Sequence, residues 1–112
     1  MSAKKFVETI RQEIIEQNLA HYASMLVLPI EQVTEPRVQA AVNAFSRMDE
    51  AQRKAVVGLL RMVLVDTVSN VFGILDGSTL ISGFREDFVL TYGADATLLS
   101  GDLQDLLLSE EL

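Results

Sequence analysis

The sequence predicts an α+β fold, mostly α: three N-terminal helices with a long central buried helix as the third, then a β-hairpin and a C-terminal helix. Three observations predict it. Apolar residues recur at three- and four-residue steps in the first two segments, residues 55–75 are apolar on every side, and two short β-branched, glycine-bounded stretches precede a leucine-rich end. At 112 residues and 49% hydrophobic, the chain fits one domain, residues 1–112, with enough apolar side chain for a core and too much for disorder.

Ser2 is placed to cap a first helix whose stripe is Phe6, Val7, Ile10, Ile14 and Ile15, and Pro29 disfavours helix at Leu28. Thr34 reads as the cap of a second helix, with Pro36 in its first turn and Val38, Ala41, Val42 and Phe45 facing inward. "SRMDEAQR" interrupts it, and Asp49 or Ser46 caps the third. A helix apolar all round is buried or spans a membrane. Arg61 and Asp66 lie near the middle of this one, each costing about 2.5–3.5 kcal/mol in a bilayer, so it reads as a core helix with no membrane. Gly77 supplies the stop. "STLISG" and "DFVLTYG" read as two strands with "FRED" as their turn, and Ser100 as the cap of a last helix carrying Leu103, Leu106 and Leu107 inward.

Charge and composition remove whole classes of function. The absence of cysteine excludes disulfide scaffolds, thiolate metal sites and cysteine nucleophiles, and it fits a reducing compartment. The N-terminal stretch is amphipathic and contains acid, unlike an export signal, so a cytoplasmic location is expected. The net charge is −7, and from Met62 onward Arg85 is the only base among nine acids. Such a half repels phosphate backbones, so no nucleic-acid binding is expected, whereas a basic protein partner would be attracted. A lone histidine without cysteine argues against zinc, the acids around the hairpin lack calcium-loop spacing, and the glycines form no phosphate-binding fingerprint. No cofactor and no metal are expected.

The candidate site is a polar cluster inside the apolar helix: Asp66, Asn70 and Ser69, with His21 or Arg61 as ion partners for the carboxylate. Asp66 and Asn70 are one turn apart on one face, and Ser69, Gly73 and Gly77 follow at four-residue steps, small enough for another element to approach. Apolar flanks predict burial, and a buried carboxylate needs donors; the cluster therefore reads first as a structural, mutually hydrogen-bonded pair.

"VDTVSNVFGILDGS", "DFVLTYG" and "LSGDLQDLLL" together resemble small stand-alone bacterial proteins carrying a domain of unknown function, over residues 62–108. The resemblance implies a cytoplasmic bacterial protein, gives weight to Asp66, Asn70, Asp76 and Gly77 in the architecture, and transfers no catalytic residue. The expectation is a non-enzymatic protein acting through protein–protein contacts as a homodimer, because so few elements cannot cover a helix apolar on every side. The second reading is an acidic, immunity-like or inhibitor protein masking a basic site. The third is a ligand-binding protein or enzyme using the Asp66/Asn70 cluster with His21.

Overall fold

Residues 1–111 are described by a computed structural model. Ser2 accepts from the Lys5 backbone N–H at 3.1 Å and starts a helical rod of three parts. These are α1 (Ala3–Ile10), a π-helical stretch (Arg11–Glu16) and α2 (Gln17–Leu26). The π stretch has a packing cause. In a regular α-helix positions 7 and 15 would lie about 80° apart, and one wider turn brings Val7 and Ile15 onto a common, buried face. Ile14, placed on the same stripe by its spacing, is turned outward instead.

A short 3-10 turn (Ile30–Gln32) leads to α3 (Pro36–Ser46). Its cap is Glu35 rather than Thr34: the Glu35 carboxylate accepts from the Arg37 backbone N–H at 2.9 Å, with Pro36 at the first position. Val42 and Phe45 are buried, and Arg53 ties the α3 end down. Its Nε donates to the Phe45 carbonyl at 3.2 Å and its guanidinium lies 5.1 Å above the Phe45 ring. Asp49 then opens α4 (Glu50–Leu75) with a reciprocal capping box to Gln52.

The main core forms where α1, the π stretch, the second half of α4 and α5 (Leu103–Ser109) meet, around Val7, Ile15, Val65, Phe72, Leu103 and Leu107. Phe6 packs its ring 6.0 Å from that of Phe72. α4 is central, yet it is not the buried helix that its composition implies. Within it only Val65, Ser69, Phe72 and Gly73 are buried. The neighbours bury one side of its C-terminal half and half-cover Val56, Val57 and Leu60 of its N-terminal half, and much of the remaining apolar circumference meets solvent.

The hairpin lies later than expected. β1 (Thr91–Tyr92) pairs antiparallel with β2 (Thr97–Leu98), in register Thr91 to Leu98 and Tyr92 to Thr97, so the turn is "GADA" and not "FRED". Gly93 at φ 78° and Ala96 at φ 51° make that turn. "STLISG" finds no neighbouring strand and remains irregular. Ser100 does not cap α5; its hydroxyl accepts from the Leu90 backbone N–H at 2.9 Å and closes the hairpin. The α5 amides are held instead by Asp76, at the far end of α4. Its Oδ1 accepts from Gly101 at 2.7 Å and Leu103 at 3.0 Å, and its Oδ2 from Gln104 at 2.9 Å.

The resulting body is long, 51 × 31 × 29 Å, with a radius of gyration of 17.8 Å. A compact chain of this length would have about 13 Å.

Candidate interaction surface

The four residues of the expected polar cluster are not brought together. Ser69 is buried, and both its hydroxyl and its carbonyl accept from the Gln104 side-chain amide at 3.1 Å. Asp66 and Asn70 are exposed, and no hydrogen bond joins them. His21 is exposed on α2, its ring edge-on to Tyr22 with centroids 5.2 Å apart. The expectation of a buried Asp66–Asn70 pair is therefore corrected. The face of α4 that the core selects carries Val65, Ser69 and Phe72; Asp66 and Asn70 fall on the other side, where water satisfies them.

Arg61 is not the partner of Asp66 either. Five residues separate them, about 140° around the helix. Arg61 donates to Glu16 at 2.7 Å and to Glu111 at 2.9 Å, and Arg11 donates to the same Glu111 carboxylate and to the Leu107 carbonyl. Hydrogen bonds to Glu16 and then Glu111 raise the Arg61 pKa. Partial burial pushes the Glu111 carboxyl up, and the bonds from Arg61 and Arg11 together outweigh it, leaving Glu111 below the ordinary carboxylate range. This network closes the rod onto α4 and the end of α5. Nothing local in the sequence marks it, because its members are 45 to 100 positions apart.

Among the described residues no three histidine, aspartate or glutamate side chains cluster to hold a metal ion. Among the described residues, His21, Asp66 and Asn70 line none of the five main grooves. A groove of about 580 Å³ is apolar: Tyr22, Met25 and Leu26 of α2, Val38 and Ala41 of α3, and Val56 and Leu60 of α4, with Glu35 and Arg37 at the rim.

The dominant surface feature runs along α4 beside that groove. Leu59 and Met62 are each 59% exposed, Val63 54% and Val71 51%. Ala55, Gly58, Asp66, Thr67 and Asn70 are exposed among them. At 100° per residue these positions form one continuous stripe, and Val56 and Leu60 join it to the groove. The composition signalled this stripe, since a helix apolar on all sides must leave some side uncovered when partners are few. α4 is also long and apolar enough to cross a membrane. Its Arg61, paired with Glu16 and Glu111, sits near mid-length.

The folded chain exposes 7925 Å². A compact monomer of 12.4 kDa exposes about 6,100 Å², so about 1,800 Å² is in excess. No protein-family model, no curated protein and no solved structure matches the chain.

Proposed function

We propose that this is a small cytoplasmic protein that works by protein–protein contact rather than catalysis, with a homodimer as its working form. The exposed apolar stripe on α4, in a protomer with about 1,800 Å² of surplus surface, is the observation that carries the reading. A standard interface takes about 800 Å² from each partner, which is within the scale of this surplus. An enzymatic reading built on the expected cluster would need its members to converge, and His21, Asp66 and Asn70 are dispersed. Sedimentation equilibrium tests the homodimer: a mass near 25 kDa is expected at about 10 μM, on the affinity scale of obligate pairs. A mass of 12.4 kDa at all concentrations would reject it.

The acidic second half favours one alternative partner. Asp87, Asp95, Asp102, Asp105 and Glu110 are all exposed, with Arg85 the only base beyond Arg61. On this second reading the protein masks a basic site, as immunity-like inhibitors do. Salt-sensitive capture of a basic protein from the native host would support it, and salt-insensitive capture would count against it.

A further inference from the structure

Resting on the homodimer reading, we propose that the second copy binds α4 on α4, antiparallel, about a two-fold axis between Leu60 and Arg61. Leu59 then meets the partner's Met62, and Ala55 meets the partner's Asp66. Residues 52, 55, 59, 62 and 66 follow the three-four spacing of a two-helix seam. Leu59 and Met62 are its apolar centre, and Gln52 and Asp66 its polar ends.

Three observations choose a second copy and this direction. First, Asp49, Glu50, Arg53 and Lys54 balance one another at the start of α4, whereas Asp66 lies toward its end and Asp76 just beyond it. The chain divides the same way, with eight basic and seven acidic residues up to Arg61, then one against nine. Antiparallel pairing sets the near-neutral end of one protomer beside the acidic end of the other. Parallel pairing would stack the acidic halves and place Asp66 directly against its twin. In the antiparallel register the two Asp66 carboxylates stand eleven residues apart, about 16 Å along the axis. That is about twice the screening length at physiological salt.

Second, Gln52 offers a complementary donor. Its side-chain oxygen is taken by the Asp49 backbone N–H at 2.9 Å, which leaves the amide N–H₂ to donate elsewhere, and Gln52 stands one turn before Ala55, the residue opposite the partner's Asp66. Third, Gly58 lies inside an exposed helix, where glycine costs about 1 kcal/mol against alanine, and a Cβ there would meet nothing within 4 Å. No contact within the protomer explains this glycine, and it leaves the flank of the proposed seam open to a second backbone.

The test combines Leu59→Glu with Met62→Glu in the full chain. Both side chains are exposed, so far-UV circular dichroism is expected to stay unchanged. Self-association measured by sedimentation is expected to weaken about thirtyfold or more, the loss typical of an interface anchor. Direction is read by oxidative cross-linking, because the chain has no cysteine. A mixture of Ala55→Cys and Asp66→Cys is expected to give the mixed disulfide dimer, whereas Asp66→Cys alone is expected to give none. A wild-type monomer at all concentrations would overturn the homodimer reading and this inference together. A dimer untouched by the two glutamates would leave that reading standing and overturn the α4 seam alone. Cross-linking of Asp66→Cys to itself would overturn the antiparallel arrangement. Flotation of wild-type protein with phosphatidylcholine vesicles, lost in the two-glutamate variant, would show that the stripe meets lipid and overturn the proposal.

Discussion

Among the polar residues of the central helix, Ser69 and Asp76 hold the fold and Asp66 and Asn70 do not. Asp76 accepts three backbone N–H groups, from Gly101 just ahead of α5 and from Leu103 and Gln104 in its first turn, where no intrahelical carbonyl is available. Bonds to a charged acceptor are worth more than neutral ones, so Asp76→Ala is expected to cost about 2–3 kcal/mol in urea unfolding. Asn70→Ala, exposed, is expected to stay within about 0.5 kcal/mol. At Gly73 an added Cβ would stand 2.5 Å from Thr79 Oγ1 and 3.1 Å from Gln104 Nε2. Gly73→Leu is therefore expected to lower stability by about 1–3 kcal/mol on the same urea assay, because the α5 amide and the post-α4 loop must both move aside. A midpoint unchanged from wild type would show that this contact yields freely. The aspartates were equivalent by type and opposite in role; what separates Asp66 from Asp76 is a partner 25 to 28 positions away, which no local pattern contains.

At the scale of elements, what was legible in the sequence is what is decided locally. The caps Ser2 and Asp49 and the stop at Gly77, with φ 79°, depend on residues within one turn, and each was readable. Of the two expected strands, "DFVLTYG" holds β1 at Thr91–Tyr92 and "STLISG" holds none, because β-branched residues fit a pleated surface only when a neighbour supplies one. Residues 78–83 have no such neighbour, whereas "GADA" folds back on itself and pairs only two residues per side. The π stretch had a faint trace in the sequence: a strict α-helical count sets Val7 and Ile15 at opposite edges of their stripe, about 80° apart. The irregular segment between α4 and β1 carries Arg85, exposed and outside any helix. Limited trypsin digestion is expected to cut first at Arg85, and the two fragments to stay associated through the core and Asp76. Cleavage beginning inside α4 would contradict this, and mass spectrometry of the early products reads it directly.

Over the whole molecule, the Arg11–Glu111–Arg61–Glu16 network gives stability a defined pH dependence. Glu111 ionises more readily in the folded chain than at its ordinary value of 4.5, so the folded state binds fewer protons there. Its contribution is fully present above that value and is lost as pH falls through the lower, folded pKa. Wild type is expected to lose stability across this acid window. Glu111→Gln is expected to begin about 1 kcal/mol less stable at neutral pH, from the weakened bonds to both arginines, and to show a flatter acid limb. Parallel acid limbs for the two proteins, followed by circular dichroism, would assign the window to other carboxylates. The overall helical character was legible from periodicity. The elongation and the half-covered state of α4 were not, because they depend on how many elements reach a given face.

The core joins the first helix to the last: Ile15 and Leu107 are both fully buried in it, and Arg11 bonds Glu111 across 100 positions. During translation, α1, the π stretch and α4 therefore leave the ribosome with Val7, Ile15 and Phe72 incompletely covered, and remain so until α5 follows them. Contacts this distant also slow the search for the native state, so this largely helical chain should refold more slowly than a bundle of sequential hairpins. The interval between the emergence of α4 and that of α5 is when a nascent copy is most open to chaperones, to a neighbouring copy on the same message, or to aggregation.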